Sequence, residues 1–422
     1  MQMSLALMKQ RRFLPLFVTQ FLGAMNDNLF KTAMVLFVIY NLYNDPKQEE
    51  VFSGIASAVF IIPFFLLSAV AGQLADAYDK ARMIRIVKTA EIGIMVVGGL
   101  GLLIGNVPLM MIALFSMGVH STFFGPIKYA ILPQHLEPDQ VLGGTGLVEA
   151  GTYIAILAGT ILAGFIDHNI AAVFVLGLAI VGWFAGRQVP PAPPIGDDHA
   201  IDWNIFRASY RLVADTLHIR RLFLAIVSIS FFWAIGAVLF VQFPPLVKNV
   251  LQADKSVASM FLAIFSIGIA IGSVAINRLL QGHVSARYAP GSVIAMGLFV
   301  LAFHFIAKFW APAPAGTLYD FWAFFAHPGA PILLACLLAI AISGGMFVVP
   351  LYAFLTTTVP KSQTARTVGA NNLVNAGCMV VGCALALGLS AIGISATDQF
   401  IMTAAMCLVS AYLAWLLHKA CD

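Results

Sequence analysis

Apolar runs long enough to cross a bilayer recur from one end of this 422-residue chain to the other. They fall at roughly 13–43, 51–75, 84–105, 107–132, 140–166, 169–188, 221–247, 256–281, 288–310, 330–357, 364–394 and 397–418. About 20 apolar residues carry a helix across the hydrocarbon core. In lipid the backbone must satisfy its own hydrogen bonds, which favours helices for such runs. The pattern therefore predicts an all-α integral membrane protein of about twelve transmembrane helices. Only 10% of residues are charged, against about 25% in soluble domains, so little mass is expected outside the membrane.

Of the 23 Lys and Arg residues, Lys47, Lys248, Lys255 and Lys308 fall at one set of helix ends and Lys31 lies within a span. The other eighteen lie at the opposite ends. This bias predicts that both termini are cytoplasmic. It also accounts for the formal charge of +4 without any nucleic-acid partner. The first span, after Arg11 and Arg12, is too long and too polar to be a cleaved signal and is expected to be retained. The five cysteines show neither C-x-x-C nor metal-ligand spacing with histidine, so no metal or cofactor is expected.

The longest polar break, Pro190 to Ile219, opens on Pro190-Pro191-Ala192-Pro193-Pro194, which cannot continue a helix. A short amphipathic segment follows, with Trp203, Phe206, Tyr210, Val213 and Leu217 on one side. It reads as a helix on the cytoplasmic membrane face or, alternatively, as a docking site for a partner enzyme. The expected organisation is a six-helix half over 1–189, a cytoplasmic linker over 190–219 and a second six-helix half over 220–422. Internal matches support a duplication. Pro126 to Leu132 resembles Pro350 to Leu355 at an offset of 224, and Leu147 to Gly151 matches Leu373 to Gly377 at 226. Arg11-Arg12-Phe13 and Arg220-Arg221-Leu222 open the two halves. Parallel repeats of this kind are expected of a transporter with its site between them.

Within the first span, Gln20, Asn26, Asp27, Asn28 and Lys31 interrupt an otherwise apolar run. Charge in hydrocarbon is costly unless paired or facing a wet cavity, and such residues are functional candidates. Asp27 and Lys31 are four apart, share a helix face and can neutralise each other. In the fifth span Thr145, Glu149 and Thr152 share a face, and the repeat places Asn371 and Asn375 at equivalent positions of the eleventh. These two stripes read as walls of one polar cavity or as interhelical hydrogen bonds. Lys128 and Tyr129 lie toward the cytoplasmic end of the fourth span, where Lys128 can snorkel or help gate. Glu91 is expected to pair with Lys88 or Arg85 near the interface and is not taken as a site. His120 and His304 read as packing histidines. Aligning the two arginine pairs sets Asp27 opposite Gly236 and Lys31 opposite Phe240, so the first-span cluster has no polar counterpart in the seventh span.

Gly72-Gln73-Leu74-Ala75-Asp76-Ala77-Tyr78-Asp79-Lys80-Ala81-Arg82 joins the second and third spans. Small Gly72 permits close helix approach, and Asp76 can accept from a neighbouring helix N-terminus or from Arg82. The segment resembles the loop motif of the major facilitator superfamily, although Ala77 replaces the usual basic residue and Asp79 the second glycine. Gly272, Asn277 and Arg278 are its decayed counterpart in the second half. The resemblance implies the major facilitator fold and a gating role for Gly72, Asp76, Lys80 and Arg82.

Within that superfamily, Gln20 to Asn28, Gly125 to Tyr129, Leu147 to Ala150 and Gly344 to Leu351 resemble the bacterial lysophospholipid transporter family, which includes transporter domains fused to acyltransferase and acyl-carrier-protein synthetase modules. The resemblance covers both halves. It implies a flippase of the bacterial inner membrane that moves lysophospholipids toward the cytoplasmic leaflet for re-acylation, with an acyltransferase or acyl-ACP synthetase as partner and surrounding lipids in contact. Some members carry a basic residue in the seventh span; Phe231 to Phe243 contains none, and Lys31 is the cation available instead. Asp27 could then pair with a headgroup ammonium and Lys31 with the phosphate, while Asn26 and Asn28 donate and accept around them.

Other readings stay open. A drug, a siderophore or another amphiphile would suit the same features. A lipid-modifying enzyme is disfavoured because no His has an Asp five residues on, and neither G-x-S-x-G nor H-E-x-x-H occurs. A receptor or scaffold would not need the buried charges.

Overall fold

The computed structural model of the protein describes residues 7–194, 201–280, 285–311, 313, 317–357 and 364–421, apart from some side chains within helices. Twelve long helices carry the fold: α1 Leu14–Phe37, α2 Pro46–Ala77, α3 Lys80–Ile104, α4 Val107–Ala130, α5 Pro138–Phe165, α6 His168–Arg187, α7 Arg220–Asn249, α8 Lys255–Leu280, α9 Ala289–Lys308, α10 Ala330–Thr357, α11 Thr364–Ala391 and α12 Ala396–Cys421. Eleven of them are long and apolar enough to cross a membrane. In α5 the described apolar stretch is the shorter Ile154–Phe165. The all-α membrane architecture expected from hydropathy is therefore present, with ends within a few residues of the apolar runs.

Local chemistry sets those ends. Asp79 caps α3 by accepting from the Arg82 N–H at 2.8 Å, and Asp167 caps α6 through Asn169. Each satisfies an N–H that the helix leaves unpaired. Glu137 and Gln140 form a capping box at the start of α5, and Arg12 reaches both, at 3.2 and 2.9 Å. A left-handed Gly105 (φ 66°) ends α3. A π-helical turn, Val38–Leu42, extends α1.

The chain groups into two compact units, Met1–Phe37 with Leu66–Ser209, and Val38–Phe65 with Tyr210–Asp422. In the first, α1 packs on α5 and α6, and α3 packs on α4 and α6. In the second, α7 packs on α11 and α12, α9 packs on α10 and α12, and α8 packs on α10. Four of these pairings recur six helices on, which is the packing a duplicated bundle produces. Gly159 lets α5 lie against α1 beside the polar stretch, since a Cβ there would sit 2.9 Å from the Leu29 nitrogen. Small residues at such crossings replace the hydrophobic drive that lipid removes.

The loop-motif glycines behave differently. Among the described residues a Cβ on Gly72 would meet nothing within 4 Å, so no close approach is seen there. At Gly272, its counterpart, a Cβ would run into the Ile342 carbonyl of α10. The decayed copy is the tightly packed one.

Candidate functional site

Six side chains from three helices of the first unit converge in one buried polar cluster. Asn26 and Asp27 come from α1, Lys88 and Glu91 from α3, His120 and Ser121 from α4. Lys88 and Glu91 are three apart on one helix face and form an ion pair. Both are about 1% exposed, where breaking the pair would strand a charge. Space for the lysine comes from two glycines: a Cβ at Gly182 of α6 would lie 2.9 Å from Lys88 Nζ, and one at Gly23 of α1 would lie 3.4 Å away.

Glu91 is the hub. It accepts from Asn26 Nδ2 at 2.9 Å through Oε1, and its Oε2 faces both Lys88 and His120 Nε2, the latter at 3.2 Å. The His120 ring is nearly parallel to that of Phe124, at 6.3 Å between centroids. The next residue, Ser121, donates to Asp27 Oδ2. The other Asp27 oxygen is buried and has no hydrogen-bond partner among the described residues. An unfilled buried acceptor is costly, and here it belongs to an acidic side chain in a membrane helix.

These contacts add partners to the expected pairing of Asp27 with Lys31. The hydrogen bond to Asp27 comes from Ser121 on another helix, while Lys31, one turn along α1, remains within reach of its charge. Glu91, set aside in the sequence, is the centre of the cluster. His120, read as packing, sits against a carboxylate. His304 does fit the packing reading, since it is buried with Nδ1 2.8 Å from the Thr397 carbonyl. Asn28 donates to Ala24 of its own helix at 2.8 Å. Gln20 accepts from Thr152 of α5 at 2.8 Å.

In the second unit Asn371 and Asn375 are buried on α11. Both point Nδ2 at Tyr352 Oη, at 3.5 and 3.3 Å. Trp233 of α7 donates to the same oxygen at 2.8 Å, and Ser230 donates to Asn375 at 2.7 Å. The asparagines thus bond across three helices, with Tyr352 as the shared acceptor that sequence reasoning missed. A separate polar group surrounds Lys248, which donates to Glu49 and to the carbonyls of Ile39 and Tyr43. Asn249 donates to the other Glu49 oxygen at 2.7 Å.

The side chains of Asp76, Tyr129, Thr145 and Glu149 lie outside the described residues. Asp79, the cap of α3, also accepts through Oδ2 from the Ala192 N–H at 3.0 Å. The Lys80 N–H donates to the Ala192 carbonyl at 3.0 Å and its side chain is buried. Arg82 is exposed and Lys128 half-buried. The loop motif therefore grips the proline-rich linker, whose helix Ile205–Leu217 follows with Trp203, Phe206 and Tyr210 exposed.

The profile of the Major Facilitator Superfamily matches residues 16–326. Lysophospholipid transporter LplT of Photorhabdus laumondii subsp. laumondii is 26% identical over 350 residues, covering 80% of this chain and 78% of that protein. Lysophospholipid transporter LplT of Serratia proteamaculans is 26% identical over 376 residues, covering 86% and 83%. Among solved structures, the POT family transporter PepTSo superposes with a TM-score of 0.70 at 12% identity, covering 98% of this chain and 99% of that one. A D-xylose-proton symporter superposes with a TM-score of 0.67 at 13% identity, covering 96% and 97%. At such identities the structures speak for the fold alone. With most of its length matched by the family profile, a helical membrane fold and paired packing in both units, the chain is a membrane transporter and belongs to the Major Facilitator Superfamily.

Proposed function

We propose that the protein carries lysophospholipids across a bacterial inner membrane by alternating access, delivering them to the cytoplasmic leaflet where an acyltransferase or acyl-ACP synthetase re-acylates them. The observation that carries this reading is Asp27: one oxygen is held by Ser121 and the other is an unfilled acceptor in a membrane helix. A headgroup ammonium is the partner such a carboxylate lacks. Lys31, one turn further, would take the phosphate as a point charge, with Gln20 and Asn26 bordering the site. The named relatives support the substrate class. The Lys/Arg bias supports cytoplasmic termini, and the recurrent packing supports two halves, 1–189 and 220–422, joined by the linker 190–219. Transport needs no ion if re-acylation keeps the product leaflet depleted.

Purified protein in vesicles should accelerate entry of fluorescent lysophosphatidylethanolamine, and Asp27→Asn should slow it while the protein stays folded. Wild-type protein that leaves lysolipid flux at the level of empty vesicles would sink the substrate assignment. Flux unchanged in Asp27→Asn would remove Asp27 from it. A second arm with lysophosphatidylglycerol, which lacks the ammonium, tests the role given to the carboxylate.

A further inference from the structure

The helix that precedes α7, Ile205–Leu217, presents three distinct sides. Ala208 and Thr216 are buried, and Leu212 between them comes within 3.8 Å of where a Cβ on Gly369 of α11 would stand. These positions recur every four residues and form the stripe that packs on the protein. On another side Phe206 and Tyr210 are 76% and 74% exposed, with Trp203 just ahead of the helix at 66%. Arg207, Arg211 and His218 run beside the aromatic stripe, all exposed. Periodicity alone makes the segment amphipathic; the packing shows that its aromatic side is the outward one.

Both ends of this helix are held where membrane spans end. Asn204 caps its start by accepting from the Arg207 N–H at 3.0 Å. Two residues earlier the Asp202 N–H donates to Gln73 Oε1 at 2.7 Å, and Gln73 lies two residues inside the end of the span Pro46–Ala75. At the other end only His218 and Ile219 separate Leu217 from Arg220, the first residue of α7. Three residue steps reach about 10 Å at most, so Leu217 stands close to the bilayer surface. Thirteen residues that include Arg207, Arg211 and Asp215 are too short and too charged to cross it. Asp202 also holds Arg207 through two bonds of 2.7 Å, which fixes the turn that carries Trp203. From Asp202 to Arg221 four arginines stand against two aspartates, a net charge of +2.

We propose that this helix docks on anionic phospholipid in the leaflet on the Lys/Arg-rich side of the membrane. Trp203, Phe206 and Tyr210 enter the boundary between headgroups and acyl chains, while Arg211, Arg220 and Arg221 hold headgroup phosphates. Trp and Tyr suit that depth because each joins an apolar ring to a polar tip. A guanidinium can take a phosphate through two N–H groups at once, and the net positive charge favours a leaflet rich in anionic lipid. A protein could use the same side only by lifting it from the bilayer. The docking holds whichever substrate the protein carries.

The full chain in nanodiscs tests this without any substitution. Hydroxyl-radical labelling read by mass spectrometry reports the water exposure of Trp203, Phe206 and Tyr210 directly. The probes are discs of phosphatidylcholine and discs in which a third of it is replaced by phosphatidylglycerol. At low salt the three rings should be oxidised about fivefold more slowly in the anionic discs, the effect expected of one basic residue at a charged surface. Raising the salt should remove the difference, and so should Arg211→Gln combined with Arg220→Gln and Arg221→Gln. Equal protection in both lipids overturns the headgroup contact. Rapid oxidation in both overturns the docking and leaves that side open to a protein. The wild-type comparison decides even if the variant does not fold.

Discussion

Lys248 on α7 and Glu49 on α2 form an ion pair within the second unit, Nζ to Oε1 at 2.5 Å, with the carboxylate wholly buried. The same ammonium also donates to the carbonyls of Ile39, within the π-helical turn, and of Tyr43, just past it. Cations at a helix C-terminus are favoured by its exposed carbonyls. Removing one partner of a buried pair costs about 3–5 kcal/mol, because it strands the other charge. Glu49→Gln and Lys248→Met should each lower the melting temperature in detergent, and the double substitution should cost less than the sum. Additive losses would show that the pair is not coupled.

The same logic applies to Lys88 and Glu91, which are more deeply buried. Lys88→Met alone should be strongly destabilising, by about 3–5 kcal/mol. Lys88→Met with Glu91→Gln should recover part of that loss. A double variant no more stable than Lys88→Met would contradict the pairing.

Tyr352→Phe removes one oxygen that faces three N–H donors, from Trp233, Asn371 and Asn375. Leaving a buried donor unmade costs about 1–3 kcal/mol. The variant should melt earlier than wild type, and Trp233 fluorescence should shift as its N–H loses the acceptor. An unchanged emission spectrum would count against the bond.

Glycine substitutions should separate the two kinds of position. Gly159→Leu drives a side chain into the backbone of Met25 and Leu29 and should abolish stable expression. Gly72→Ala adds a methyl with no described atom within 4 Å and should leave the stability within about 0.5 kcal/mol of wild type. A large loss at Gly72 would show that its surroundings are tighter in another state.

The spans were legible because hydropathy is averaged over some twenty residues and survives any local misreading. The polar residues of α1 were legible for the opposite reason, each being costly where it stands. Their partners were not. Helical spacing pairs Asp27 with Lys31, but Ser121 lies 94 positions away on α4, a distance over which periodicity carries no information. Glu91 pairs with Lys88 as helical spacing predicts, but Asn26 and His120 reach it from two other helices that spacing does not register. The six-residue helix Phe321–Ala326 is too short for a period to register. At Gly72 the motif suggested a contact that packing makes instead at Gly272, the copy with fewer motif residues.

The loop between α2 and α3 holds the linker twice. Lys80 and Asp79 grip Ala192, and Gln73 Oε1 accepts from the Asp202 N–H at 2.7 Å. The chain is thus anchored to this corner at both Ala192 and Asp202. An insertion between Ala192 and Asp202 would fall between two anchored points, ahead of the helix Ile205–Leu217. The same insertion placed between Leu217 and Arg220 would lengthen the connection itself.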